Sequence, residues 1–303
     1  MRKNKRSLIS RFLYSQKIAP YIFILPFVLS FAIFFVYPII KTVILSFQGM
    51  DSSGSMVFVG LKNYQSLMNP HFFKAVRNNI VYTIIMLLLV IPIPIILAVM
   101  LNSKNMLFKK FFRAALFLPS LTSIIVAGVI FRLLFAENAS APVNAFLGLF
   151  GIQPITWQLD TRYSMFLMVI LSVWTAIGIN VIYFLSGLQN IPVELYEAAD
   201  IDGAGYWSKL FFVTIPQLRS VTIYVLTISI YGGFAMFAQS YIFWLTNSPE
   251  DSGLTMVGYL YKQGFEQGNL NVAYATGIVL VIIVFILNVI QLKFFGLFRK
   301  EDA

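Results

Sequence analysis

Two carboxylates, Glu194 and Glu197, stand three residues apart in a short polar stretch between two long apolar runs. This spacing places both side chains on one face of a helix. Pro192 precedes them and suits a first helical turn, where we expect both acids to be favoured by the helix dipole. Paired carboxylates can act as general acid and base. No His or Cys accompanies them, so catalysis is the weakest of three interpretations; the others are a structural connector and a helix that docks on a partner.

The residues that follow extend this pair into a long, regularly spaced pattern. Glu197-Ala198-Ala199 is followed after three residues by Gly203, and nine residues later begins the aliphatic stretch that ends at Ile215-Pro216. The alanines permit close packing and Gly203 permits the chain to turn. We expect a second short helix over Trp207 to Phe212. A simple capped connector would explain the acids and glycines, but it would not require the rest of the pattern.

The composition indicates what must position this stretch. Of the 303 residues, 59% are hydrophobic and 11% are charged, whereas soluble domains have roughly 25% charged residues. A bilayer core of about 30 Å needs roughly 20 apolar residues per helix. Six segments meet this requirement, and we number them spans 1 to 6: 20–47, 79–102, 112–135, 163–187, 217–245 and 272–296. The sequence therefore predicts an all-α membrane protein in which residues 1–303 form one domain with six transmembrane helices.

The distribution of positive charge predicts the orientation. Of the 22 Lys and Arg residues, 15 lie in the N-terminal tail, in the loops after spans 2 and 4, and in the C-terminal tail. Cytoplasmic segments carry such an excess. We therefore expect the tail 1–19, the loop 190–216 and the C-terminus to be cytoplasmic. The same rule accounts for the net charge of +10, so no nucleic acid partner is expected.

The chain lacks the residues that several kinds of chemistry require. The chain has no Cys and a single His, so we expect no disulfide and no metal site. It contains no G-x-x-x-x-G-K-[ST] motif for holding ATP phosphates; ATP-driven transport would therefore need a separate ATPase. The apolar spans also lack the chains of buried acids and His that proton-coupled carriers use. This absence counts against a stand-alone secondary transporter, which is the alternative interpretation. An intramembrane enzyme is a weaker interpretation still.

The pattern from Glu197 to Pro216 resembles the "EAA" coupling loop of bacterial ATP-binding-cassette importer permeases. Nearly the whole chain resembles the first permease subunit of the carbohydrate group, which handles maltose and multiple sugars. The supporting stretches are Tyr21–Pro26, Tyr37-Pro38, Phe58–Tyr64 and Phe112–Pro119. Leu245–Pro249 departs from the usual glycine run, and the extra N-terminal helices and large external domain of the maltose type are absent.

The resemblance implies a type I importer fold and an assembly in the bacterial inner or plasma membrane. Such an assembly has two related permeases, an ATPase dimer that binds ATP-Mg, and an extracellular or periplasmic solute-binding protein. It takes a sugar or oligosaccharide as its solute. By resemblance, Glu197, Ala198, Ala199 and Gly203 are the ATPase-coupling residues, and Glu197 would pair with a basic residue of the ATPase. This chain itself needs no cofactor.

The resemblance also indicates where the solute would pass, because positions in spans 4 and 5 line the cavity in this family. Sugar recognition needs aromatic faces together with amide or hydroxyl groups. The candidates are Asn180, Tyr231, Phe234, Ala235, Ala238 and Gln239. The first four of those in span 5 follow the spacing i, i+3, i+4 and i+7, which predicts one shared helical face. Packing between helices is the alternative role for such a stripe.

Overall fold

The structure of the protein is a computed structural model that describes residues 16–51, 53–103, 106–245 and 247–295. In these ranges the chain is helical apart from turns, loops and one antiparallel hairpin. Most of the predicted tail 1–19, the end of the C-terminal tail and Thr246 lie outside the described residues.

Span 1 and the hairpin come first. Span 1 consists of α1 (Ala19–Phe31), a π-helical turn (Ala32–Val36) and α2 (Tyr37–Ser46). The hairpin pairs β1 (Gln48–Met50) with β2 (Met56–Phe58), and the short helix α3 (Lys62–Ser66) follows. Gly49 faces Val57 in the register of the hairpin.

Each of the two helices of span 2 begins at a proline. Span 2 consists of α4 (Pro70–Val90) and α5 (Pro92–Asn102). Asn69 caps α4, because its side chain accepts a hydrogen bond from the Phe72 N–H at 3.0 Å. Pro92 provides no N–H to the preceding turn, and the helix is interrupted at Ile91. Span 2 begins about nine residues earlier than the apolar segment 79–102 predicts, because its outer turns are polar.

Span 3 corrects the prediction of one straight helix over 112–135. It consists of α6 (Lys109–Leu121) and α7 (Ile124–Leu134), which are bent by 97°. Thr122 and Ser123 adopt extended backbone, with ψ of 133° and 132°. The bend therefore lies at these two residues and not at Pro119, which remains inside α6. After the bend comes the short helix α8 (Pro142–Gly148).

The remaining elements carry the predicted sites. They are α9 (Thr161–Gln189, span 4), α10 (Val193–Ile201), α11 (Tyr206–Lys209), α12 (Ile215–Gln217), α13 (Arg219–Phe234) and α14 (Ala238–Trp244, together span 5), α15 (Met256–Tyr261) and α16 (Leu270–Phe294, span 6). Five described helices are long and apolar enough to cross a membrane, and the bent pair of span 3 makes a sixth if its two helices form one span. Helices are present in all six predicted segments.

The 29-residue helix α9 is the centre of the packing, with α4, α5 and α6 against it. Phe184 and Leu188 of α9 pack with Ala98 and Leu101 of α5 in one buried cluster. At Gly178 the backbone of α6 comes so close that a Cβ atom would lie 2.1 Å from the Leu116 carbonyl oxygen. Glycine is required at such close approaches. Because lipid is as apolar as these side chains, close packing holds the helices together.

Candidate functional site

The loop between spans 4 and 5 contains a solvent-exposed helix, α10, as predicted. Pro192 precedes its first residue, Val193, and Glu194 lies in the first turn. Glu197 is the fifth residue of the helix and lies one turn further, so the expectation that both acids occupy the first turn is wrong. Both carboxylates are exposed, as is Ala198, while Ala199 is half-buried.

Gly203 ends α10 in a defined way. Its φ is +73°, in the left-handed region that favours glycine. The Ala204 N–H donates to the Ala199 carbonyl at 2.8 Å, and the Gly203 N–H donates to the Asp200 carbonyl at 3.1 Å. These are the two bonds of a Schellman motif, which satisfies the last carbonyls of a helix. The sequence spacing between Glu197 and Gly203 therefore sets how far the exposed acid lies from the end of its helix.

Two side-chain contacts hold α10 against the next elements. The Lys209 ammonium forms an ion pair with the Asp200 carboxylate. The Tyr196 hydroxyl lies 3.0 Å from the Thr214 Oγ1, in a π-helical turn (Leu210–Thr214) that leads to α12. The second helix expected over Trp207 to Phe212 is instead the single turn α11 continued by this π-helical turn. Contacts at both ends make α10 and the start of span 5 one unit.

The exposed surface of this unit carries both acidic and apolar side chains. Ile201 is 87% exposed and Trp207 is 67% exposed. Within the described ranges, no cationic side chain pairs with Glu197. An exposed apolar patch beside unpaired carboxylates is the composition of a protein-binding surface.

Span 5 departs from the predicted continuous helix. α13 ends at Phe234 and α14 begins at Ala238, and the intervening Phe237 has φ −138° and ψ −56°. The spacing of residues 231 to 238 therefore does not place them on one face, which corrects that prediction. Phe234 is 1% exposed and packs in a core cluster with Met256. It is not on a cavity wall.

The other predicted path residues lie in different environments. Tyr231 is 62% exposed, and Ala235, Ala238 and Gln239 are half-buried around the break. Asn180 is 3% exposed in α9. Its amide forms no hydrogen bond within the part of the chain that the structure describes.

Two asparagines of α4 that the sequence analysis did not single out bind the end of α13 and the loop before α15. The Asn79 amide donates to the Gly233 carbonyl at 2.8 Å, and its Oδ1 accepts from the Met256 N–H at 2.7 Å. The Asn78 amide donates to the carbonyls of Asp251 and Leu254, both at 2.9 Å. Carbonyls at a helix end need such partners. Two adjacent amides at the start of an apolar span are the sequence signal that could have identified them.

The family model described as "Binding-protein-dependent transport system inner membrane component" matches residues 66–299. This chain belongs to that family. The permease is 51% identical over 288 residues to the arabinooligosaccharides transport system permease protein AraP of Bacillus subtilis, covering 95% of this chain and 92% of that one. It is 31% identical to the lactose transport system permease protein LacF of Rhizobium radiobacter, covering 96% and 97%.

A solved structure matches the fold of the permease. The similar chain belongs to a bacterial ABC transporter involved in the import of the acidic polysaccharide alginate, with a TM-score of 0.82 and 20% identity. The match covers 93% of this permease and 96% of that chain. The predicted all-α importer fold and the resemblance to carbohydrate-importer permeases are both confirmed. Because the relatives are transport permeases, the protein is a permease and not an enzyme that uses Glu194 and Glu197 as acid and base.

Proposed function

We propose that this permease forms part of the translocation path of an ATP-driven importer for arabinose-containing oligosaccharides. The observation that carries the substrate is the similarity to AraP proteins, at 51% identity for Bacillus subtilis and 47% for Halalkalibacterium halodurans. Both similarities extend over at least 95% of this chain. Relatives near 30% identity are named for other solutes, such as lactose and sn-glycerol-3-phosphate.

The proposed coupling site is the exposed face of α10. Glu197 would pair with a basic residue of a cytoplasmic ATPase dimer, which binds ATP-Mg. Ala198 and Ala199 would permit close approach of the ATPase, and Gly203 would fix where the helix ends. The supporting features are the exposed carboxylate, the apolar side chain of Ile201 and the Schellman cap.

The proposed second permease is supported by the environment of span 1. In the 28-residue helix Ala19–Ser46, none of the residues of the most apolar window is buried. In the described residues, α2 packs extensively on α16, whereas α1 packs to a comparable extent only on its own continuation. The α1 half of span 1, with none of its residues buried, is therefore available to pack against another subunit. An external solute-binding protein would deliver the sugar to the opposite side from α10, as the family description implies.

The proposed solute path keeps five of the predicted residues and drops Phe234. Asn180, whose buried amide is unpaired within the described ranges, would hydrogen-bond to solute or water. Tyr231 and Gln239, with the half-buried alanines at 235 and 238, would line the region near the break. The chain would form one domain in the bacterial cell membrane, with both termini cytoplasmic by the excess of Lys and Arg there.

Reconstitution tests this proposal and separates it from a stand-alone carrier. The permease, a second permease and the ATPase are placed in vesicles with ATP inside, and uptake of labelled arabinotriose is measured with a sugar-loaded binding protein outside. We expect uptake only when all components and ATP are present. Uptake by this chain alone, driven by a proton gradient without ATP, would establish the carrier instead.

A further inference from the structure

Four aromatic rings meet where α14 faces α15 and the turn after it. We name them the aromatic shelf: Phe237, Tyr241, Tyr261 and Phe265. Tyr261 stands at the centre, with ring centroids 5.2 Å from Phe237, 5.6 Å from Tyr241 and 5.4 Å from Phe265. The ring of Phe265 is 71% exposed and stacks on Tyr261 with an interplanar angle of 27°. The shelf therefore presents the ring of Phe265 to its surroundings, backed by three half-buried rings.

The shelf lies on the opposite side of the membrane from α10. The chain crosses the membrane once, by span 5, between α10 and α15. In the proposed assembly this is the side on which the binding protein delivers its sugar. The shelf is distinct from the proposed solute path, because it uses none of those residues.

Polar groups surround the rings. The Lys262 ammonium donates to the Asn247 Oδ1 at 2.9 Å. A hydrogen bond with the Tyr241 hydroxyl raises the pKa of Tyr261. The carboxylate of Glu266 is exposed beside them and has no hydrogen-bond partner in the described part of the chain. Lys262 follows Tyr261 and Glu266 follows Phe265 in the sequence. A hydrogen-bond donor and an acceptor therefore stand beside these two rings.

The space between these groups is narrow. The cleft lined by Phe237, Tyr241 and Tyr261 of the shelf, together with Asn247, Lys262 and Glu266, has a volume of about 30 Å³, which is room for one water molecule or one hydroxyl group. A whole sugar ring cannot enter. A ring lying on the exposed aromatic face could place a single hydroxyl in the cleft, where the amide and the carboxylate can bind it.

We propose that the aromatic shelf is an outer binding site for a neutral sugar unit, used as an oligosaccharide leaves the binding protein and before it reaches the path near Asn180. A pyranose or furanose ring has an apolar C–H face and a rim of hydroxyls. Aromatic faces with a few placed polar groups match this combination. Phe265 and Tyr261 would contact the C–H face, and Lys262, Asn247 and Glu266 would bind hydroxyls. This inference rests on the proposed function.

The test compares variants of the complete transporter in vesicles supplied with labelled arabinotriose on a saturating binding protein. We expect Phe265→Ala to lower uptake by about fivefold, which corresponds to about 1 kcal/mol. Phe265→Tyr keeps the ring and should retain uptake. Phe58→Ala is the matched control, because Phe58 is 78% exposed on β2 on the same side of the membrane. The concentration of loaded binding protein that half-saturates ATP hydrolysis should not change.

Each outcome decides between the possibilities. Unchanged uptake with Phe265→Ala overturns the proposal. A raised half-saturating concentration of binding protein also overturns it, because the shelf then contacts that protein and not the sugar. Loss of uptake with Phe265→Tyr as well would exclude a role for the ring. Absence of arabinotriose uptake by the unmodified transporter contradicts the proposed function itself, which is a distinguishable result.

Discussion

Glu194 and Glu197 project from the same short helix, and both carboxylates are exposed. Only Glu197 occupies the position that the coupling pattern assigns to the ATPase. We expect Glu197→Lys to abolish most solute-stimulated ATP hydrolysis and uptake, because losing one partner of a buried interfacial charge pair costs about 2–5 kcal/mol. Glu194→Lys is the matched control and should have a smaller effect. The membrane content of the subunit should be unchanged in both variants.

Equal effects of the two substitutions would argue against a specific role for Glu197. Normal coupling in the Glu197→Lys transporter would show that the docking surface lies elsewhere.

Gly203 is constrained by its backbone and not by its surroundings. A Cβ atom there would have nothing within 4 Å. The φ of +73° is the reason for glycine. Gly203→Ala should destabilise the end of α10 by about 1 kcal/mol and speed amide exchange at Ala204, whereas Gly203→Asn should be milder.

Gly205 provides the control for this prediction. Its φ is −71°, and a Cβ atom there also meets open space. Gly205→Ala should leave both the exchange at Ala204 and the coupling unchanged. If Gly203→Ala behaved in the same way, the left-handed cap would not limit coupling.

Residues around the break in span 5 separate solute contact from packing. We expect Tyr231→Ala and Gln239→Ala to impair uptake of arabinotriose while leaving the melting temperature of the purified assembly within experimental error. Phe234→Ala removes a buried ring and should destabilise the protein by about 3–5 kcal/mol. A lowered melting temperature with normal uptake in the first two variants would assign them to packing.

At the scale of elements, the crossing of α6 and α9 depends on Gly178. A methyl group there would overlap the backbone of α6, including the Leu116 carbonyl. Since a backbone cannot move aside as a flexible side chain can, Gly178→Ala should separate the helices and lower the melting temperature. Gly277→Ala in α16 is the control, because its Cβ would lie 3.5 Å from the nearest atom, an ordinary contact. Equal melting temperatures in the two variants would exclude a tight crossing.

The sequence predicted the spans well, because hydropathy reflects whether a segment prefers lipid or water. Helices are present in all six predicted segments. It also predicted α10 and its end, since proline, acids and glycine act locally on the backbone. It did not predict the breaks in spans 3 and 5. Thr122 and Ser123 are no strong helix breakers, and their extended backbone depends on neighbouring elements. Asn79, on another span, binds the carbonyls that the break in span 5 exposes.

The prediction that the solute-path residues of span 5 share one helical face was wrong for the same reason. A helical spacing is informative only where the helix continues, and Phe234 is the last residue of α13. It packs with Met256, the first residue of α15, and no periodicity within span 5 could predict that contact. The exposure of Glu197, in contrast, follows from a polar stretch between two spans, which the sequence contains directly.

At the scale of the whole molecule, span 1 is the element with the weakest attachment. Since no residue of α1 is buried in the described chain, we expect cross-links from cysteines placed along α1 to form with the second permease. Cysteines on Leu171 or Phe184 of α9, which are fully buried within the chain, should give none. Cross-links absent from both sets would contradict a permease interface at α1.

The bent span 3 has a consequence for how this chain is synthesised. Its two helices have 13 and 11 residues, so each is roughly 16–20 Å long at 1.5 Å per residue, and neither alone crosses a core of about 30 Å. Exposed backbone at Thr122 and Ser123 cannot face lipid. We therefore expect the segment to enter the bilayer as one straight helix and to bend only after α9, made later, has packed against it. Membrane insertion and final folding of this span are then separate events in time.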